Sequence, residues 1–137
     1  MLLSLSIVAG FSQSAPAWTI RYGSKLLLKV TDENPAKNTV QLNSRDLQKS
    51  KKLSISCSEK GSDRRLGKMI RTIGIYTDDD QELMRKESGT ISIAGKEFEK
   101  MLTTYKSINI FTWLLPADPE QAARVRVRRA HVCTIKI

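Results

Sequence analysis

Residues 124–137 read R-V-R-V-R-R-A-H-V-C-T-I-K-I and alternate charged with apolar side chains, which is the period of a β-strand. In an extended chain Val125 and Val127 point to one face and the arginines around them point to the other. The R-R doublet that follows breaks this phase. A one-residue bulge at the doublet would place Val132 on the valine face, whereas an unbroken strand would place Cys133 there. Both alternatives predict a half-buried C-terminal strand with a row of arginines along its first half.

The length and charge of the chain limit its class. A chain of 137 residues is the size of one domain with a core of its own, and a hydrophobic fraction of 40% argues against both disorder and a membrane protein. Lys and Arg total 23 against 14 Asp and Glu, so the formal net charge is +9. This excess predicts attraction to nucleic acid, to acidic lipid headgroups or to an acidic protein. The alternative is a basic soluble protein without such a partner.

The chain contains two cysteines, Cys57 and Cys133, and one histidine, His131. These residues are too few for a four-ligand structural zinc site without distant carboxylates, so neither a metal nor a cofactor is predicted. In an oxidising compartment the two thiols would form a disulfide between the middle of the chain and its last strand. In a reducing compartment both would behave as small buried hydrophobes.

Residues 1–17 have two interpretations. Residues 2–11 are largely apolar, and A-P-A at 15–17 resembles a signal-peptide cleavage site, but no basic residue precedes Arg21. The run is also too short to span a bilayer. The segment is therefore either a retained apolar arm or a signal peptide cut after Ala17. As an arm, it would mediate self-association through Leu3, Leu5, Ile7 and Phe11.

The remaining pattern predicts strands alternating with short helices. Strand-like stretches occur at 18–31, 39–42, 53–57, 89–94 and 107–115, and the last is predicted to be central in a sheet. Turn formers at 32–38 predict a hairpin between the strands that flank them. Apolar spacing predicts helices at 63–73 and 95–105, with short helices at 81–86 and after Asp118; a strand over 69–76 competes with the first of these. The chain is thus predicted to be a single α+β domain over 1–137, mainly antiparallel, with two or three short helices.

No arrangement of residues predicts catalysis. His131 and Cys133 would share a face of one strand at roughly 6.5–7 Å, too far for a nucleophile and its base. The chain has neither a nucleophile elbow nor a phosphate-binding glycine loop. Three aspartates at 78–80 suit a helix start better than a calcium loop, because the spacing of an EF-hand is absent. A protein without enzymatic activity is predicted.

Clusters of basic residues carry the functional prediction. Arginines at two-residue spacing match a row of phosphates, and the planar guanidinium binds phosphate through two hydrogen bonds. Phe111 and Trp113 are assigned to the core, so base-specific recognition is not predicted. The predicted anion-binding residues are Arg124, Arg126, Arg128, Arg129, Arg64, Arg65, Lys68, Arg71, Lys51 and Lys52.

Two functional hypotheses follow. The first is a non-enzymatic, self-associating protein that engages nucleic-acid phosphates or an acidic membrane surface, compatible with a virion matrix or coat-like protein. In that case a virion or intracellular location is favoured, although no family motif is present. The alternative is an exported domain, periplasmic or secreted, stapled by Cys57 and Cys133, that binds a protein or envelope component.

Overall fold

Two mostly antiparallel β-sheets contribute to one hydrophobic core in a computed structural model, which describes residues 17–58 and 69–137. The four-stranded sheet has the order β2-β1-β4-β7, with β1 Trp18–Tyr22, β2 Lys25–Val30, β4 Leu53–Cys57 and β7 Thr90–Ile93. The five-stranded sheet has the order β3-β9-β8-β5-β6, with β3 Thr39–Gln41, β5 Met69–Tyr76, β6 Glu82–Lys86, β8 Ser107–Pro116 and β9 Ala130–Lys136. The helices of the described ranges are α1 Ser44–Leu47, α2 Gly95–Tyr105 and α3 Pro119–Arg124. The predicted α+β class is confirmed.

The four-stranded sheet shows how side-chain alternation buries one face. Trp18, Ile20 and Tyr22 of β1 are all buried, while Thr19 and Arg21 between them point away from the core. β1 pairs with β2 through the turn at Gly23–Ser24 and with β4 on its other side. The hairpin predicted between 25–30 and 39–42 is therefore wrong.

The loop at 32–38 explains that difference. The buried side chain of Asn38 donates to the backbone oxygen of Asp32, and the backbone oxygen of Asn38 accepts from the N–H of Thr134. These bonds direct β3 into the five-stranded sheet, where it pairs in parallel with β9. The turn formers thus end β2 without pairing it with the next strand.

Strand β8 is the middle strand of the five-stranded sheet, as predicted for residues 107–115. Ile108 and Ile110 of β8 are fully buried, as are Ile73 and Ile75 of β5 and Ile135 of β9. These isoleucines form the face of the sheet that contributes to the core.

The helix predicted at 63–73 is wrong for its described residues, because residues 69–73 belong to β5. Isoleucine and threonine favour a strand, and β5 pairs with β8 over its whole length, from Met69 opposite Pro116 to Tyr76 opposite Asn109. The helical spacing of the apolar residues is compatible with a strand once a partner strand is present. The competing interpretation, a strand over 69–76, is confirmed.

The helix predicted at 81–86 is also wrong, because Glu82–Lys86 form β6 and pair with β5. The aspartate run forms the turn between these strands rather than a helix start. The N–H of Asp80 donates to the oxygen of Thr77, and Asp80 adopts the left-handed region at φ 67°. The N–H of Gln81 donates to the hydroxyl of Thr77, which closes the turn.

The C-terminal strand is half as long as predicted. Arg124 is the last residue of α3, residues 125–129 lie in neither helix nor strand, and β9 begins at Ala130. Asp118 caps α3 by accepting the N–H of Glu120, as predicted. Because α3 ends at Arg124, the residues that follow must lead the chain back to the sheet before β9 can pair. Val125 and Val127 are consequently exposed, at 37% and 43%, and do not form the predicted buried face.

Helix α2 closes the core with Phe98, Met101 and Leu102, as predicted for 95–105. The Phe98 ring lies 5.6 Å from the ring of Tyr22. No helix within 17–58 or 69–137 combines the length and apolar character needed to cross a membrane. The predicted apolar arm, with Leu3, Leu5, Ile7 and Phe11, lies outside the described residues, and so do positions 63–68 of the first predicted helix.

Candidate functional site

Four lysines surround the turn between β1 and β2, and we call Lys25, Lys49, Lys51 and Lys52 the lysine patch. The N–H of Gly23 donates to the backbone oxygen of Lys52 at 2.8 Å, which holds the 49–52 loop against the turn. Gly23 has φ +63°, and a Cβ there would lie 2.7 Å from Cδ of Lys51. Both the backbone conformation and the close approach of Lys51 therefore require glycine at this position.

An open cavity of about 90 Å³ lies within the lysine patch. It is lined by Tyr22, Lys25, Leu27, Leu42, Asp46, Lys49 and Lys51. The hydroxyl of Tyr22 donates to the backbone oxygen of Asp46 at 2.9 Å and accepts the N–H of Lys51 at 3.2 Å. The Asp46 carboxylate is the single acidic group of the lining and lies 3.7 Å from Nζ of Lys49. The lining thus combines three ammonium groups with one carboxylate.

Sequence reasoning found Lys51 and Lys52 in this patch but missed Lys25. The first two lie in a recognisable basic stretch with Lys49, whereas Lys25 is distant in the chain and begins the apolar strand β2. The turn signal at Gly23–Ser24 was visible, but the contact between that turn and Lys52 is tertiary.

The predicted arginine row is split by tertiary ion pairs. Arg124 and Arg126 are exposed and have no ion pair or hydrogen bond with any residue in the described parts of the chain. Arg128 pairs with Glu33, and Arg129 pairs with Asp80 at 2.8 Å. Among the described residues, Arg124 and Arg126 are therefore the arginines of the row that lack an acidic partner.

The other predicted basic cluster is not assembled by the described structure. Arg64, Arg65 and Lys68 lie outside the described residues. Arg71 is partly buried: its guanidinium donates to Oγ1 of Thr112 at 3.2 Å and lies 5.8 Å from the ring centre of Trp18. Because Trp18 belongs to the other sheet, we interpret Arg71 as a contact between the sheets rather than as part of an anion site.

The outer face of the five-stranded sheet, turned away from the core, carries aromatic rings beneath arginines. The guanidinium carbon of Arg129 lies 3.9 Å from the ring centre of Phe111 and 4.8 Å from that of Tyr76, and the guanidinium carbon of Arg85 lies 5.3 Å from that of Trp113. Trp113 is buried at 8%, as the sequence assignment expects, whereas Phe111 is only partly buried and lies outside the core, which corrects its assignment.

The charge of this outer face is balanced. Arg129 pairs with Asp80, as described above, and Arg85 pairs with Glu82 at 2.7 Å. The Arg85 guanidinium and the Tyr76 hydroxyl, which donates to the same carboxylate at 3.0 Å, hold the pKa of Glu82 below its usual value. Because each arginine of the face has its own carboxylate, the outer face does not offer a net positive surface.

A chain of hydrogen bonds on the outer face fixes the protonation of His131. A carboxylate only accepts, so Asn109 presents its amide N–H to Asp78 at 2.9 Å and its carbonyl oxygen to Thr134. That carbonyl accepts from the Thr134 hydroxyl at 2.7 Å, and the hydroxyl in turn accepts from Nε2 of His131 at 2.8 Å. In this network Nε2 of His131 is the donor and carries a proton.

The other ring nitrogen of His131, Nδ1, is buried and has no hydrogen-bond partner among residues 17–58 and 69–137. Burial lowers the pKa of His131, and the charge of Glu33 acts in the opposite direction. The pKa of Glu33 is itself lowered, first by its hydrogen bond from Arg128 and then by the backbone N–H of His131.

The pairing of β8 with β9 separates His131 from Cys133. Ile110 pairs with Cys133 and Phe111 with His131, so Val132 is an extra residue and the two side chains point to opposite faces. The sequence placed them on one face. Burial raises the pKa of the Cys133 thiol to about 12, so it does not supply a thiolate at neutral pH.

Cys57 and Cys133 lie on different sheets and are not joined by a disulfide in the structure. The disulfide on which the exported alternative depends stays a prediction. Within the described ranges, no group of three or more His, Cys, Asp or Glu side chains is arranged to hold a metal ion. No family model, curated protein or solved structure matches this chain.

Proposed function

We propose that this chain is a non-enzymatic binding protein that engages phosphate groups of a polyanion, from a nucleic-acid backbone or an acidic lipid surface, through the lysine patch. The observation that carries the proposal is the convergence of Lys25 with Lys49, Lys51 and Lys52 around one glycine turn. Lys25, Lys49 and Lys51 line one cavity, and the backbone of Lys52 is bonded to the turn beside it, so the four lysines concentrate positive charge at one place on the surface.

The distribution of charge along the chain supports this location. Residues 17–58 contain eight basic and three acidic residues, whereas residues 69–137 contain eleven basic and nine acidic residues. The positive excess of the described residues is therefore concentrated in the segment that carries the lysine patch. Arg124 and Arg126 add exposed positive charge in the more balanced segment.

The chemistry of the patch favours recognition of charge over recognition of sequence. Lysine acts as a point charge and does not impose the planar two-bond geometry of arginine. Tyr22, the aromatic residue of the cavity lining, is buried at 4% exposure and is not available to stack on a base. Self-assembly of a coat-like kind through the N-terminal arm remains a further prediction of this proposal.

The test compares two variants with the same change of net charge. The first replaces the lysine patch (Lys25→Gln, Lys49→Gln, Lys51→Gln, Lys52→Gln), and the control replaces four exposed lysines elsewhere (Lys86→Gln, Lys96→Gln, Lys100→Gln, Lys106→Gln). Binding to a single-stranded RNA and to phosphatidylserine vesicles is measured over a range of salt concentrations. Loss of four phosphate contacts should reduce the slope of log K against log salt for RNA by roughly 3 in the first variant alone.

Each outcome of this comparison has a clear meaning. Equal losses in both variants would show that net charge, rather than the patch, drives binding. Binding of RNA without vesicles, or the reverse, identifies the source of the phosphates. Absence of binding to both at low salt would refute the proposal.

A further inference from the structure

The segment between α3 and β9 has a strand-like sequence but pairs with no strand of the described residues, and we propose that residues 125–128 are a docking strand for an extended acidic peptide. This proposal does not rest on the lysine patch. It concerns a different surface and a different class of ligand.

The backbone of this segment is available for pairing. Val125 is extended, with φ −92° and ψ 135°, and its N–H donates to Ala122 at 3.4 Å. The backbone groups of residues 126–128 form no hydrogen bond with any residue of 17–58 or 69–137. An exposed extended segment with free N–H and C=O groups is a template for an added strand.

The side chains of the segment define two chemically different stripes. In an extended chain Val125 and Val127 lie on one side, and both are exposed. Arg126 and Arg128 lie on the other side; Arg126 has no acidic partner among the described residues, and neither has the exposed Arg124 at the end of α3. A strand that pairs here would bury the valines against apolar side chains and place carboxylates opposite the arginines.

In the free protein one carboxylate, that of Glu33, already lies where the segment joins β9. One oxygen of Glu33 accepts from the guanidinium of Arg128, and the other accepts the backbone N–H of His131 at 3.0 Å. A carboxylate therefore already bonds both an arginine and a backbone N–H where the segment joins β9. Glu33 therefore occupies the end of the proposed site in the free protein, and a bound peptide would replace it.

These features favour a peptide over a phosphate polymer. A phosphate polymer could use the arginines and the free N–H groups, but it would use neither the free C=O groups nor the two exposed valines. The pairing of Glu33 with Arg128 shows that a carboxylate can be held at the end of the segment that adjoins β9. The expected ligand alternates acidic and apolar residues over about five to seven positions.

The first experiment measures binding of a fluorescently labelled peptide, T-E-V-E-V-E-T, by anisotropy. Three comparison peptides isolate its features: glutamine in place of glutamate, the same composition with contiguous glutamates, and N-methylated backbone amides at alternate positions. The proposal expects the alternating acidic peptide to bind and each comparison peptide to bind at least several-fold more weakly. A uridine RNA of similar charge tests the phosphate alternative.

The second experiment uses protein variants. Val127 is an even number of residues from His131, so in an extended chain its N–H points to the same edge. Val127→Pro removes that donor and should weaken binding roughly threefold to tenfold, whereas Val127→Ala should weaken it less. Glu33→Gln removes the competing carboxylate and should tighten binding. Thermal unfolding of each variant confirms that it is folded.

Three results would overturn the proposal. They are equal binding of the alternating and contiguous peptides, tighter binding of the RNA than of the peptide by the variant that lacks the lysine patch, and affinities that do not change in either Val127→Pro or Glu33→Gln. A variant lacking the lysine patch should keep its peptide affinity. If that variant loses peptide binding while RNA binding is also lost, the proposed peptide site is refuted and the function of the patch is retained.

Discussion

Replacing Gly95 by alanine should destabilise the fold, although Gly95 is the first residue of helix α2. A Cβ at this position would lie 1.7 Å from the backbone oxygen and 2.2 Å from the backbone carbon of Ser50. Ser50 adopts the left-handed region at φ 50°, and its hydroxyl donates to Glu99 of α2 at 2.6 Å. The loop is therefore fixed against the helix and cannot easily move away.

The expected loss in the free energy of unfolding of Gly95→Ala is the difference between two opposing effects. Alanine in a helix is usually more favourable than glycine by about 0.5–1 kcal/mol. Here the Cβ must separate from the oxygen by a further 1.3 Å to reach 3.0 Å, the shortest distance that real Cβ atoms show. Such overpacking costs about 1–3 kcal/mol or more when backbone must move. We expect a net loss of about 2 kcal/mol, which lowers Tm by roughly 6–10 °C.

Urea and thermal denaturation of Gly95→Ala measure this loss, with Gly89→Ala as the matched control. A Cβ at Gly89 would meet Cβ of Cys57 at 3.8 Å, which is an ordinary contact, so the control should change stability by less than about 1 kcal/mol. Adding Ser50→Ala to Gly95→Ala should not restore stability, because the contact is with the Ser50 carbonyl. A Gly95→Ala protein as stable as the parent would refute the placement of this loop.

Three further predictions concern His131, Thr134 and Cys133. Burial holds the pKa of His131 below 6.5 in the folded state, so its contribution to the free energy of unfolding should be fully present above pH 6.5 and be lost as pH falls toward the folded pKa. His131 is the single histidine of the chain, so Tm of the His131→Gln variant should change less between pH 7.5 and 5.5 than Tm of the parent. Thr134→Val removes the hydroxyl between His131 and Asn109 and should cost about 1–3 kcal/mol in urea denaturation, whereas Thr104→Val on the exposed side of α2 should be nearly neutral. Cys133, buried with a pKa of about 12, should resist iodoacetamide at pH 8 until urea is added, and its alkylation in the native state, read by peptide mass spectrometry, would contradict the burial.

Local periodicity was sufficient to predict several elements. The strict alternation at 18–22 and 53–57 and the apolar run at 107–115 became strands because one face of each is buried. The spacing of Phe98, Met101 and Leu102 became a helix for the same reason. These patterns depend on backbone geometry that is set within a few residues.

Periodicity failed where two patterns overlap. Residues 69–73 and 82–86 have apolar spacing compatible with a helix, but pairing with neighbouring strands decided both. Residues 125–129 have a strand period without a strand, because the preceding helix ends at Arg124 and the chain must first return to the sheet. The partner of a strand is not encoded in the strand itself.

The sequence by itself determined the α+β class, the positive charge and the identity of most basic residues at the candidate surfaces. Tertiary structure decided which of those residues act together. Lys25 joins Lys51 and Lys52 through the contact of Gly23 with Lys52, and Arg128 loses its free charge to Glu33, which is 95 residues away. The physical reason is separation along the sequence. The alternation of apolar and polar side chains depends on neighbouring residues, whereas strand pairs and ion pairs form between distant segments that only the folded chain brings together.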